Sequence, residues 1–271
     1  MKKNIFWKSQ LKKDFQWDFS YKISFFGQFI GIFFTVTIFF FISKIFENSN
    51  TDHLLEYNNN YFVFSIIGIS ILDLVVITMR SISLSVREAQ SFGYIENIMT
   101  SRISPVYLLL CTCIYPFIKG VIRILFYIFL LVLFSEINIS LIILFNFMFF
   151  LFITIIPFVA ISLLAGAFVI YFKQADPINF LANTFISIFS GIIYPVTVLP
   201  SWMQNISDLI PLTYQLKNLR MIILEKDFNP YGDLINQFLY LCFSLVFLVF
   251  AIYITSSILK VVKKSGTLGS Y

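Results

Sequence analysis

Six stretches of this chain are apolar for 20 residues or more: Ile23–Ile42, Tyr61–Leu84, Pro105–Phe134, Leu141–Phe172, Phe180–Leu199 and Phe238–Leu259. A hydrocarbon core of about 30 Å is crossed by about 20 helical residues. A soluble domain of this size has no interior large enough to hide six such runs. Strand-like alternation is absent, and the strands of a membrane barrel would be about half as long. The expected class is therefore an all-α integral membrane protein with six transmembrane helices. Composition agrees, with 59% hydrophobic residues, 12% charged and a mean hydropathy of +0.87, where soluble domains carry about 25% charge. A soluble enzyme, a disordered tail and a disulfide-knotted secreted domain are excluded on those figures. The third and fourth runs exceed a straight span, and Pro116 and Pro157 offer places to bend. The third membrane core is expected nearer Ile114–Phe134.

Lys and Arg set orientation. With the N-terminus inside, the inner side holds Lys2, Lys3, Lys8, Lys12, Lys13, Lys22, Arg80, Arg87, Arg102, Lys173, Lys260, Lys263 and Lys264, and the outer side only Lys44, Lys217, Arg220 and Lys226. Both termini are expected in the cytoplasm of a prokaryote, the protein lying in its inner membrane. The net charge of +5 then belongs to the inner face, where anionic lipid attracts it, and calls for no nucleic-acid partner. The lysine-rich start is too long and polar for an ordinary signal-peptide n-region, and no small-residue cleavage site closes the run behind it. It reads as a retained first helix.

Two domain-level pieces follow: an amphipathic interfacial helix over residues 1–22 and a single membrane domain over residues 23–271. In the first, Trp7, Leu11, Phe15 and Phe19 recur four apart, with Lys8, Lys12 and Lys13 off that stripe, as in a helix lying in the inner interface. Cys111, Cys113 and Cys242 form no disulfide framework. Cys-x-Cys without histidine or acidic neighbours gives no metal site, and the single histidine, His53, sits in a polar loop. No catalytic constellation is visible.

Two connections have more character than a plain loop. Residues 86–104, inside, place Phe92, Ile95 and Met99 on one apolar edge of a short helix ringed by charge, a shape that inserts into a groove on a soluble protein. Residues 195–236, outside, carry Pro195, Pro200 and Pro211. Pro195 should disturb the fifth helix and Pro200 end it. Trp202 suits the interfacial belt, and the half-apolar stretch before Leu212 is too short to span, so a re-entrant or interfacial hairpin is expected.

These two connections carry a resemblance. The inner one has Glu88, then Gly93-x-x-Glu96, an apolar pair and Ser104-Pro105. The outer one reads Ser190-Gly191, Tyr194-Pro195, Leu199-Pro200-Ser201-Trp202, Pro211-Leu212-Thr213-Tyr214 and Leu219-Arg220. In order and spacing they resemble the permeases of the type-2 exporter class of ABC transporters, as do the basic amphipathic start and six spans with both ends inside. Tyr94 departs from the small residue, often threonine, that such permeases carry after the loop glycine. The resemblance implies a half-transporter that pairs with a second copy or a paralogue. A separate ATPase subunit, which binds ATP and magnesium, docks on the loop holding Glu88, Phe92, Gly93, Ile95, Glu96 and Met99. The substrate route runs between the two permeases, flanked mainly by helices one, two and five, and re-entrant helices built from Gly191, Pro195, Pro200, Trp202, Pro211 and Tyr214 close the exit. No glycine here precedes a lysine, so the Gly-Lys pair of a Walker A loop is absent; no cofactor is expected on this chain.

Inside the spans lie Asp73 in the second helix, and Lys119 and Arg123 four apart in the third. A charge at the bilayer centre costs on the order of 3 kcal/mol, so Asp73 is expected beside Arg123 or Lys119. The leading function is the membrane subunit of an ATP-driven exporter of a lipid-like or drug-like amphiphile, a leaning that rests on the Pro-x-Trp form of the outer segment. The same machine exporting a lipid-linked glycan or polysaccharide is the alternative. An ion-coupled secondary transporter using Asp73 is more remote, because matched Gly- or Pro-broken helices in the two halves are missing. A membrane-embedded enzyme lacks its acid, base or metal set, and a non-transporting scaffold leaves no positive signature.

Overall fold

The computed structural model describes residues 3–46, 57, 60–101, 103–135, 137, 139–173, 177–224 and 230–265. His53, Lys2, Arg102 and Lys226 lie outside them, as does part of the outer connection before the last helix. Among the described residues there are helices and no strands. They are α1 (Lys3–Ser20), α2 (Lys22–Phe46), α3 (Tyr61–Ser91), α4 (Ile95–Thr100), α5 (Pro105–Cys111), α6 (Ile114–Phe134), α7 (Leu141–Phe172), α8 (Pro177–Phe189), α9 (Ser201–Leu209), α10 (Pro211–Leu224) and α11 (Pro230–Ser265), with one 3-10 turn at Val196–Val198.

Local chemistry explains the boundaries. Asn60 caps α3, its side chain accepting from the Val63 N–H, and Ser140 caps α7 through Ile143. Pro105 and Pro211 open α5 and α10, where a missing N–H costs nothing. The third apolar run is broken at Thr112–Cys113 into α5 and α6. Pro116 cannot donate to the carbonyl four residues back, Thr112, and its ring crowds that carbonyl. The membrane-length core therefore starts at Ile114, as the sequence suggests. α7 runs unbroken through Pro157, and the Tyr240 hydroxyl donates to the nearby Thr154 carbonyl at 3.2 Å.

α3 and α7 form the axis on which the other helices pack. Their contact is close because Gly166 lies against Ile82, and α6 approaches α3 because Gly120 lies against Leu74; a methyl at either glycine would overlap its neighbour. Lipid tails are as apolar as leucine, so such small-residue crossings, with interhelical hydrogen bonds, are what hold membrane helices together. The bonds are present: Ser162 Oγ within 3.3 Å of both Ser81 Oγ and the Ile82 N–H, and Gln215 and Gln237 donating to one another between α10 and α11. Large side chains on the outer surface, Ile23, Phe145, Phe243 and Val246 among them, are exposed on the chain alone.

At one end of the bundle, the last turns of α3, α7 and α11 pack with α4 and α5 in one apolar cluster, and α1 lies beside α4. The N-terminal helix and the end of the C-terminal helix thus share a side. At the other end, Phe64 and Gly68 meet Ile192 and Arg220.

Five helical segments are long and apolar enough to cross a membrane: Lys22–Ile45, Tyr61–Ser91, Pro105–Phe134, Leu141–Phe172 and Ile235–Lys264. The fifth expected span, Phe180–Leu199, is not one continuous helix. Its helix is α8, 13 residues long, and it stops at Phe189, well before Pro195 or Pro200. The stop is Gly191 in the left-handed region, φ +68°, two residues past Phe189, a common helix terminator. The segment still travels far along its neighbour. Asn179 near its start donates to Ser83 at 2.8 Å, and Ile192 reaches Gly68. Those α3 positions are 15 residues apart, about 22 Å at 1.5 Å per residue.

Candidate functional site: loop helix, ion pairs and helical hairpin

The connection between α3 and α5 folds as a tight corner. Phe92 and Gly93 end α3 by donating to Glu88 (2.9 Å) and Gln90 (3.1 Å). Gly93 takes φ +73°, the conformation glycine tolerates without cost, and α4 follows at once. The expected apolar edge is split. Ile95 and Met99 are 3% and 2% exposed, packed in the cluster that holds Val86, Ala89, Val106 and Leu109. They bind α4 to its own bundle and are not available to a partner. Phe92, 69% exposed, stands outward with Gly93, Glu88 and the polar residues Glu96, Asn97 and Thr100.

α1 lies alongside this corner with its polar side turned in. Lys13 stands 5.9 Å from the Tyr94 ring centre. Gln10 donates to Asp14, and Asp18 accepts from the Tyr115 hydroxyl at 2.7 Å and pairs with Lys119 at 2.6 Å. Burial pushes the Asp14 carboxyl above its usual range, against the opposing pull of Lys13. Phe15 and Phe19, half of the expected apolar stripe, are exposed on the chain alone, where an interfacial helix presents its rings to the bilayer, while the polar groups of α1 line a cavity. This cavity, of about 730 Å³, lies between α1, α2, α3 and α6, and includes Asp14, Asp18, Asp73, Arg80, Lys119 and Arg123.

At the depth of this cavity Asp73 meets Arg123, with Nη2 donating to Oδ1 at 2.9 Å and Nε 2.7 Å from Oδ2. Arg123 also donates to Gln28 Oε1 at 3.3 Å. Lys119 pairs with Asp18, not with Asp73. The role of Asp18 was not read from the sequence; its spacing of four from Asp14 on one side of α1 was the available signal.

At the opposite end of the bundle, Gly191 is followed by a turn at Val196–Val198 and the helical pair α9–α10. Pro200 precedes α9 and Pro211 opens α10. Trp202 is 61% exposed, and the Tyr194 hydroxyl donates to the Ile188 carbonyl. Gln204 ties the turn by donating to Leu199 at 2.7 Å. The hairpin is anchored by Arg220, known from the sequence only as the end of a motif. It is 3% exposed and donates to Phe64 (3.2 Å), Gly191 (2.9 Å) and Ile192 (2.8 Å) carbonyls, with its guanidinium carbon 3.5 Å from the Phe64 ring centre. Burial lowers its pKa to about 10, so it stays charged at neutral pH.

Among the described residues no group of histidine, cysteine and carboxylate side chains could hold a metal ion. The architecture is that of a polytopic helical membrane protein. The ABC-2 type transporter family matches residues 9–224, about four-fifths of the chain, and the chain belongs to that family. It is a membrane component of an ABC transporter. No curated protein matches the sequence.

Proposed function

We propose that this chain is the permease half of an ATP-driven exporter in the inner membrane of a prokaryote, with both termini cytoplasmic. A separate ATPase subunit, carrying ATP and magnesium, docks on the outward face made by Glu88, Phe92, Gly93 and Glu96. The observation that carries this reading is α4 itself, a six-residue helix clamped to the bundle by Ile95 and Met99 with a polar, glycine-cornered face left open. A force applied there reaches α3 without slack. The sixth crossing is α8 continued through Ser190–Pro195, whose run along α3 supports it.

The permease pairs with a second copy or a paralogue. In support, Gly27 and Gly31 lie four apart on α2 with nothing packed over either, a spacing that lets membrane helices approach closely. The cargo is a lipid-like or drug-like amphiphile. The apolar cavity of about 470 Å³ flanked by Phe15, Phe19, Phe25 and Phe29 shares Lys119 and Arg123 with the polar cavity beside it, which supports a cargo with a polar head and an apolar body.

The test is capture. A cysteine replacing Glu96 is cross-linked in native membranes, and the captured chain is identified. An ATPase subunit is expected, and it should be lost when Glu96→Arg is introduced and capture is attempted from a cysteine at Gly93. A folded protein that captures no ATPase from either position refutes the docking assignment.

A further inference from the structure

Arg220 has no carboxylate within ion-pairing distance among the described residues, yet it is 97% shielded from solvent. It lines a cavity of about 470 Å³ at the outer end. Three residues lining the same cavity carry buried hydroxyl oxygens with no hydrogen-bond partner: Ser190 Oγ, Thr213 Oγ1 and Tyr214 OH. Ser190 is 1% exposed. Buried polar groups are nearly always paired, and an unpaired one costs about 1–3 kcal/mol. Three in one cavity, converging from the end of α8 and the first turn of α10, are arranged for something that enters it. Lys217 adds a second cation from the exposed side of α10.

We propose that this cavity is an anion-binding site for a phosphate group. Hydroxyl donors recognise phosphate oxygens directly, and the buried guanidinium supplies charge in a low dielectric, where it acts most strongly. The one carboxylate in the lining, Asp208, sits at the exposed rim, where solvent weakens its repulsion. The phosphate comes from an outer-leaflet lipid head group or from a free anion; the site reads the chemistry they share. The site is a property of this chain alone and stands apart from the exporter reading.

The experiment uses the full chain in nanodiscs without its ATPase. Discs of pure phosphatidylcholine are compared with discs containing one-fifth phosphatidylglycerol, and inorganic phosphate is titrated into the first. Binding is read as retained anionic lipid by native mass spectrometry and as phosphate-dependent thermal shift. The parent should retain the anionic lipid or respond saturably to phosphate; lipid alone identifies a head-group site, and phosphate alone a free-anion site. Ser190→Ala/Thr213→Val/Tyr214→Phe removes three oxygens with little change of shape, and Lys217→Gln changes an exposed residue that cannot collapse the fold. Each should weaken binding about tenfold. Methyl glucoside, a neutral polyol, should not compete. No response to either phosphate source, equal binding by all variants, or binding of the polyol in place of phosphate overturns the proposal.

Discussion

The Asp73–Arg123 pair gives the sharpest energetic test. Two unit charges 3 Å apart attract by about 5 kcal/mol at an effective dielectric of about 20. Neither side chain is sealed, since Arg123 and Asp73 keep 17% and 21% of their side-chain surface toward the polar cavity. Screening there removes about half of the attraction, leaving a coupling of about 2–3 kcal/mol. Removing one partner also strands the other in a poorly solvated place, which is why broken buried pairs are costly while apolar replacement of both is often neutral. Asp73→Asn should therefore destabilise by about 2 kcal/mol, less than a full break because Arg123 keeps Gln28. Arg123→Met should cost about 3 kcal/mol, because it leaves the carboxylate without a donor. Asp73→Asn/Arg123→Met should return to within about 1 kcal/mol of the parent.

The assay is a double-mutant cycle on unfolding midpoints in bicelles, with substrate-stimulated ATPase activity of the assembled transporter measured alongside. Single changes that cost under about 0.5 kcal/mol and simply add would refute the pairing energy worked above. A proton relay at Asp73 predicts the opposite pattern: Asp73→Asn would abolish transport while stability held, and the double variant would stay dead.

Other sites give independent checks. Gly166→Ala places a methyl into Ile82 and should cost about 1–3 kcal/mol; adding Ile82→Ala should recover part of that loss in the same unfolding assay, and an undiminished loss would show that the α3–α7 crossing is not set by this contact. Gly191→Ala must hold a left-handed backbone and meets Val196, so a loss of about 1–3 kcal/mol is expected, with faster hydrogen exchange through α9; unchanged exchange would remove the strain argument. The raised Asp14 carboxyl binds its proton more tightly folded than unfolded. Its contribution to α1 docking is complete below the ordinary aspartate range and is lost as pH rises through the raised value. Exchange protection of α1 should fall over that window in the parent and stay flat in Asp14→Asn; matching profiles would refute the assignment.

How much of this could be read from the residues depends on what kind of signal fixes each part. Run length fixes a spanning helix, so α7 has the expected limits Leu141–Phe172 at both ends, helped by Ser140 before it and by Lys173 turning left-handed after it. Pro116 marks the break between α5 and α6, whereas Pro157 lies inside the unbroken α7. Run length fails for α8 because Ile192, Ile193, Val196 and Val198 continue the apolar run past a stop made by one glycine dihedral, and hydropathy does not register a dihedral. Periodicity places Ile95 and Met99 on one edge of α4 correctly, but it is silent on whether that edge meets a partner or the chain's own core.

The polar contacts were the least legible, for a reason specific to membranes. The stripe Trp7, Leu11, Phe15 and Phe19 points α1 at the bilayer but says nothing of what its polar side meets. In a bilayer the solvent is apolar, so part of that stripe faces out and Asp14 and Asp18 face in. Lys119 and Arg123 share a side of α6, and nothing in their spacing separates them as partners for Asp73. What separates them is α1, whose Asp18 occupies Lys119 and leaves Arg123 to Asp73. Arg220 follows the same logic at the opposite end of the bundle. It sits among Leu216, Leu219, Ile222 and Ile223 on the buried side of α10, and an arginine among such neighbours must satisfy its N–H groups internally. It does so on three carbonyls from two other segments, and that requirement ties the hairpin to α3 alongside its buried leucines.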